Sequence, residues 1–244
     1  MTEKTCIVIP CFNEAERFKT YEYLSFLRQV PDIDFCFVND GSRDNTREVL
    51  TLLCKQEPER AMMVDYTDNR GKAEAVRTGF LYVLGLQRYQ VVAFADADLA
   101  TPLSEMRRLI AIFRKEPEAM IVIGSRIERM GITIERKLYR HFTGRIFAAV
   151  ISVLFRLRAY DTQCGAKVFD AEMARLVFDK PFLSQWLFDV EMLLRVRNLR
   201  KDYNRIVHEI PLDVWLEQGN SKIRFFHLLR MPWQLCKIYF EYKS

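Results

Sequence analysis

Two aspartates separated by one small residue, Asp96-Ala97-Asp98, are the groups in this chain best suited to chemistry, because carboxylates so close repel each other unless a cation lies with them. Hard oxygen donors of this kind suit Mg2+ or Mn2+, ions that keep several coordination positions for water and for the phosphate oxygens of a substrate. The pair therefore predicts a metal-bound diphosphate. Two Gly-containing turns, Asp40-Gly41-Ser42 and Asn69-Arg70-Gly71-Lys72, add places where backbone can approach a ligand closely. Neither turn is a G-x-x-x-x-G-K-[ST] or G-x-G-x-x-G cradle, which argues against a P-loop ATPase and an ordinary Rossmann dehydrogenase.

The elements that must carry these groups alternate. Runs reading as strands are Cys6 to Phe12, Phe35 to Asn39, Ala61 to Tyr66, Gln90 to Ala95 and Met120 to Gly124, with helical patterns at about 15–29, 43–56, 72–86 and 104–115 between them. This order implies an α/β fold with βαβ units and a mostly parallel sheet flanked by helices. Ligands of such sheets sit beyond the carboxyl ends of the strands. There the chain delivers Asn13 and Glu14, Asp40, Asp68 and Asn69, Asp96 and Asp98, then Ser125 and Arg126. Asp44 and Ser104 read as helix caps.

After residue 130 the pattern becomes a helical stretch over 136–158, then two further strands at Ala166 to Phe169 and Arg205 to Ile210. A helical tail follows from about Ile223, with Leu235, Cys236 and Tyr239 on one face, Lys237 away from it, and Pro232 as a kink. The expected organisation is one integrated domain over 1–222, with halves at about 1–126 and 127–222, and an amphipathic C-terminal helix over 223–244.

The chain has 244 residues, half of them hydrophobic, and a formal charge of +5. The charge is local: residues 126–160 hold eight Lys/Arg against two Asp/Glu, a patch suited to phosphate, nucleic acid or an anionic membrane. The stretch lacks an aromatic platform or a groove-reading motif, so no nucleic acid partner is expected. The longest apolar run, Ile146 to Phe155, is ten residues, against the roughly 20 of a spanning helix. With no secretory signal in the first residues, the expected location is cytoplasmic, peripheral on the membrane's inner or cytoplasmic face. The six cysteines form no C-x-x-C pair and read as reduced, mostly buried thiols.

Taken together, the motifs resemble family 2 glycosyltransferases of the GT-A (Rossmann-like) fold. Val8-Ile9-Pro10-Cys11-Phe12-Asn13-Glu14 is similar to the family's IPxxNE opening, and Val38-Asn39-Asp40-Gly41-Ser42-Arg43-Asp44-Asn45-Thr46 to its V-[ND]-D-G-S-x-D-x-T segment. Asn69-Arg70-Gly71-Lys72 with Ala75-Val76-Arg77-Thr78-Gly79 resembles N-x-G-K-x-x-A-[VI]-R-x-G, and the D-A-D-L and G-S-R elements follow in order. Asp161-Thr162-Gln163-Cys164-Gly165, Lys167, Phe188-Asp189-Val190-Glu191-Met192-Leu193, Trp215, Glu217 and Ser221-Lys222 resemble the enzymes that glucosylate dolichyl or other polyprenyl phosphates. The chain departs from the pattern at Ala73, Glu74 and Ala166, which bear on pocket shape and sugar identity, and it carries Ala100 where mannosyl relatives usually have Gln.

The resemblance implies an inverting, metal-dependent transfer of glucose from UDP-glucose to a polyprenyl phosphate. It places Pro10, Asn13, Glu14 and Asp40 around the nucleoside, with Asp40 accepting from a base N–H, and Lys72 near the diphosphate. Asp96 would meet ribose or metal, and Asp98 would ligate the Mg2+ or Mn2+. Arg126, Arg136 and Arg140 are the candidates for holding the acceptor phosphate, because arginine grips phosphate with two parallel hydrogen bonds. Asp189 and Glu191 lie two apart, hence on different helix faces. Glu191 is the expected sugar-orienting group, or the base for a hydroxyl acceptor. The alternatives are another nucleotide sugar such as GDP-mannose, a saccharide hydroxyl acceptor, and a non-enzymatic nucleotide-sugar-binding membrane adaptor.

Overall fold

The computed structural model describes residues 3–127, 133–135, 151, 154–155, 157, 159–216 and 225–243. In chain order the elements are β1 (Thr5–Cys11), α1 (Thr20–Gln29), β2 (Ile33–Asp40), α2 (Thr46–Gln56), β3 (Ala61–Tyr66), α3 (Lys72–Gly85), β4 (Val91–Ala95), α4 (Leu103–Lys115) and β5 (Ile121–Ser125). Then come β6 (Thr133–Glu135), β7 (Ala166–Asp170), α5 (Ala171–Phe178), α6 (Phe188–Leu199), α7 (Tyr203–Ile206), β8 (Val207–Pro211), β9 (Val214–Leu216) and α8 (Phe225–Tyr242).

A seven-stranded sheet runs β3-β2-β1-β4-β7-β5-β8. Strands β3, β2, β1 and β4 are parallel, whereas β7 inserts antiparallel between β4 and β5. The order reverses between β1 and β4, so the crevice beyond their carboxyl ends is where a ligand is expected. The central strands β1, β4, β5 and β7 are largely apolar and buried because both faces are covered. Ile7 and Ile9 join Phe35, Phe37, Leu27 and Leu109 on one face. Val8 and Val38 join Val76, Phe80 and Phe94 on the other, as the twofold alternation of a strand requires.

Helix α3 lies close against the sheet. A β-carbon at Gly79 would overlap Val8 Cγ1 and lie 2.9 Å from Val38 Cγ2. That close approach brings the first residue of α3, Lys72, down to the sheet's edge. Helices α1 and α2 start later than their sequence patterns suggest, with 15–19 used in a turn, whereas α3 starts at Lys72 as expected and α4 at Leu103, one residue early, behind Pro102 and with no side-chain cap, so Ser104 does not cap it. Asp44 does accept from the Thr46 N–H at 3.0 Å.

Helix α8 packs its Ile238 into the core beside Leu193 and Val196, with Leu235, Tyr239 and Tyr242 alongside. Cys236, expected on that inner face, is exposed. Among the described residues, no helix is long and apolar enough to cross a membrane. Cys6, Cys11, Cys36 and Cys164 are buried free thiols, and burial pushes Cys164 up to about 12. Most of the 136–158 stretch, and Glu217, Ser221 and Lys222, lie outside the described residues.

Candidate active site

The β1–α1 and β2–α2 loops are stitched together at the sheet edge. Asn13, at φ +50, donates its N–H to Ser42 Oγ at 3.0 Å, and its Oδ1 accepts from the Arg43 N–H at 2.8 Å. Glu14 is buried, donates its N–H to Thr46 Oγ1 at 2.7 Å, and its carboxylate takes the Arg17 guanidinium in a two-point grip. Pro10 lies one turn of the pleat back in β1, opposite Val38.

Asp40 organises the neighbouring loop. Its Oδ1 accepts from the Arg70 N–H at 2.8 Å, and its Oδ2 from the Gly71 N–H at 2.9 Å and from Asn69 Nδ2 at 3.1 Å. Burial raises its pKa despite those donors. Gly41, at φ +64, seals the arrangement: a β-carbon there would overlap the Asp68–Asn69 backbone and lie 2.8 Å from Asp68 Cα. The acidic group expected to read a base thus first builds the wall beside it.

The wall ends in Lys72, whose Nζ lies 2.5 Å from Asp96 Oδ1. Desolvation opposes the Lys72 charge, but Asp96, Asp189 and Asp98 outweigh it and raise its pKa. Asp98 is raised first by burial and then by Asp96, with the Ala100 N–H at 3.0 Å, Arg17 and Lys72 offsetting part of this. The turn between them is strained: Leu99 sits at φ +54, a region worth about 1–3 kcal/mol of strain for a branched side chain. Its burial, the Tyr23 hydroxyl donating to Ala97 O at 3.2 Å and the Leu216 N–H donating to Ala100 O at 2.9 Å hold it there.

Strand β7 shapes the far wall. A β-carbon at Gly165 would overlap the Asp96 carboxylate, lying 2.5 Å from its Cγ, so glycine lets the carboxylate rest against the backbone. Two residues on, the fully buried Lys167 donates to Asp189 Oδ1 at 2.5 Å and to Cys164 O at 2.6 Å, with its ammonium 5.0 Å from the Phe94 ring centroid.

That geometry corrects one expectation. Glu191 is fully buried on the other side of α6, where it accepts from the Leu183 N–H at 2.7 Å, Arg195 at 2.8 Å and the Tyr242 hydroxyl at 3.0 Å. With one oxygen engaged by the loop before α6 and the other by Arg195 and Tyr242, the buried Glu191 is not available to a sugar or an acceptor. Asp189 instead pairs with the buried Lys167, and its charge helps to raise the pKa of Lys72.

Arg126, at the end of β5, forks onto Asp161 at 2.6 and 2.8 Å and lies 5.5 Å from the Trp215 ring centroid. Desolvation opposes its charge, but Asp161 wins and raises its pKa, with Asp96 adding a smaller push. Asp161 is in turn positioned by Glu209, which accepts the Tyr160 and Asp161 N–H groups, each at 2.7 Å. Arg136 and Arg140 lie outside the described residues.

The structure thus gathers Glu14, Asp40, Lys72, Asp96, Asp98 and Arg126 at one edge. Sequence reasoning missed Arg17 and Gln185. Arg17 was detectable by its spacing of three from Glu14. Gln185 bonds Arg70 O at 3.3 Å and abuts Gly71 through a long-range contact without sequence signal. Among the described residues no group of three His, Cys, Asp or Glu converges on a metal position. Two carboxylates with substrate oxygens completing the shell is nonetheless a donor set that fits Mg2+ or Mn2+.

Residues 6–182 match the family described as Glycosyl transferase family 2. The chain belongs to that family. It is therefore a glycosyltransferase, and the adaptor reading is set aside. Its similarity extends beyond the family segment. It is 31% identical over 236 residues to the dolichyl-phosphate beta-glucosyltransferase of Saccharomyces cerevisiae, covering 89% of this chain and 68% of that one. It is 30% identical over 257 residues to the Homo sapiens enzyme of the same name, covering 99% and 76%. Among solved structures, glucosyl-3-phosphoglycerate synthase from Mycobacterium tuberculosis in complex with Mn2+, UDP and phosphoglyceric acid superimposes with TM-score 0.71 at 15% identity, covering 99% of this chain and 78% of that one. At that identity the likeness establishes the shared GT-A fold.

Proposed function

We propose that this family 2 glycosyltransferase moves glucose from UDP-glucose to a polyprenyl phosphate of the dolichyl type, with inversion, at the cytoplasmic face of a membrane. The observation that carries this reading is the meeting of Lys72, Asp96 and Asp98 at the crevice between β1 and β4, with Arg126 on the opposite wall. The names of the relatives, and the Mn2+ and UDP of the structural neighbour, support the choice of acceptor, donor and ion.

In this reading Pro10, Asn13, Glu14 and the Asp40-braced loop frame uridine, and Asp96 and Lys72 face the ribose and diphosphate. Asp96 and Asp98 would hold the Mg2+ or Mn2+, which when bound neutralises charge on the diphosphate. Lys72 adds a second positive charge to the same leaving group. Asp189, fixed by Lys167, orients the glucose from the β7 side.

The acceptor oxygen must approach the anomeric carbon opposite the diphosphate. As the new C–O bond forms, the bond to UDP breaks and its electron pair leaves on the diphosphate oxygen. A phosphate monoester, with a second pKa of about 6, is already ionised at neutral pH and needs no proton removed. What it needs is a cation that aims it. Arg126, with its guanidinium plane fixed by Asp161 and Trp215, supplies that, with Arg136 and Arg140 as further candidates.

Incubation with UDP-glucose, Mn2+ and a short polyprenyl phosphate tests the proposal. A glucosyl lipid that forms only with the ion is the expected product. Transfer to saccharides with no lipid product would overturn it.

A further inference from the structure

Among the described residues, helix α8 has one apolar face packed on the core and another left exposed. Leu235, Ile238, Tyr239 and Tyr242 face the core, and the Tyr239 ring lies 6.2 Å from Phe155. On the opposite side Trp233 is 70% exposed and Phe240 is 75% exposed. They stand seven residues apart, two helical turns, so both project from one side, with exposed Cys236 and Lys237 between them. Lys243 follows at the end, against a single exposed acid, Glu241.

We propose that this outward face of α8 is the surface by which the protein docks on the headgroup layer of a lipid bilayer. Three observations favour a bilayer over a second protein copy. Aromatic rings interleaved with lysine are the composition that lies in a membrane interface, the rings at the acyl boundary and the ammonium groups among anionic headgroups. The two rings offer about 300 Å² of exposed surface, from 150–250 Å² for each aromatic side chain, well short of the roughly 800 Å² per partner of a stable protein interface. The charge is complementary too, since Lys237 and Lys243 outnumber the one acid of the helix, Glu241.

The docking face is tied to the catalytic edge. Gln234 Oε1 accepts from Ser184 Oγ at 2.7 Å, and Ser184 Oγ in turn accepts the Leu187 N–H at the start of α6, two residues before Asp189. Next to Ser184, Gln185 reaches the Arg70 carbonyl beside Lys72. Hydrogen bonds therefore link α8 to the start of α6 and, through the 184–185 segment, to the loop before Lys72. The inference rests on the proposed lipid acceptor for its purpose, and its test is separable from that proposal.

The experiment compares the full chain with Trp233→Ser/Phe240→Ser by co-flotation with vesicles of phosphatidylcholine and phosphatidylglycerol, using Trp233→Phe as the conservative control. The expected result is a loss of about tenfold or more in vesicle-bound protein for the double variant, with near-complete binding by the control and an unchanged melting temperature for both. Quenching of tryptophan emission by brominated-chain lipid should be strong in the parent and much reduced in Trp233→Ser. Turnover of a water-soluble short-chain prenyl phosphate should be unchanged in the double variant, while turnover of a vesicle-embedded acceptor falls. Equal flotation of parent and double variant overturns the inference, as does a lipid-free dimer in sedimentation that the two substitutions dissociate. Absence of turnover with both acceptors refutes the functional proposal, and flotation still decides the docking face.

Discussion

Gly165 and Asp96 occupy adjoining space so tightly that a single methyl group at 165 would overlap the Asp96 carboxylate. Strand β7, the antiparallel intruder in a parallel sheet, is therefore a template for the catalytic edge: Gly165, just before it, sets Asp96, and Lys167 within it holds Asp189. The expected result for Gly165→Ala is a loss of about 100-fold in kcat/KM, the scale of a misplacement near 1 Å, with the secondary structure retained. Steady-state kinetics with UDP-glucose and Mn2+ check this, and a variant within twofold of the parent, about 0.4 kcal/mol, would contradict it.

Asp98 is expected to make the metal-free fold less stable at neutral pH than a neutral residue would. Burial and then Asp96 raise its pKa, so the folded chain binds its proton more tightly than the unfolded chain does. The stability this lends is fully present below the unfolded aspartate value of about 4 and is lost as pH rises through the higher folded value. Asp98→Asn, which keeps an oxygen for the Ala100 N–H, is expected to melt a few degrees higher at pH 7.5, at about 2–4 °C per kcal/mol. The advantage should shrink toward pH 4, and Mn2+ should raise the melting temperature of the parent only. Thermal scans across pH decide the matter, and a destabilised variant would count against it.

The Lys167–Asp189 pair is closed off from water, with Lys167 fully buried and Asp189 nearly so. Removing one partner of such a pair leaves an uncompensated charge and costs about 3–5 kcal/mol, whereas replacing both with apolar groups is close to neutral. Lys167→Met should therefore lose that amount in urea denaturation, and Lys167→Met/Asp189→Leu should recover most of it. Neither variant should regain activity if Asp189 orients the sugar.

Gly41 is required for two independent reasons, its φ of +64 and the backbone of Asp68 and Asn69 where a side chain would go. Gly41→Ala should push the β3–α3 loop off Asp40. The expected outcome is weaker UDP binding by about tenfold or more, read by calorimetry, because the displaced loop carries Lys72.

Much of this was legible before any coordinates. The first five strands fall within about two residues of their expected ends, because each is a buried apolar run closed by a polar turn. The polar residues after those runs converge for the same reason, since parallel strands share one carboxyl edge. What was not legible is long-range. Ala166 to Phe169 reads as a strand, yet nothing in its pattern says that it runs antiparallel between β4 and β5. The burial of Glu191 was not legible either. Its spacing from Asp189 separates the two onto different faces, but which face meets the site depends on where α8 packs, and α8 captures Glu191 through Tyr242.

The central claim is that residues from three distant loops form one site for a nucleotide and a divalent ion. Titration of UDP into the protein by calorimetry, with and without Mn2+, tests it most directly. The account predicts that Mn2+ tightens UDP binding in the parent, and that Asp98→Ala abolishes the gain while leaving weak metal-independent binding. Equal UDP affinity with and without the ion, or an Asp98→Ala protein that responds to Mn2+ as the parent does, would contradict it.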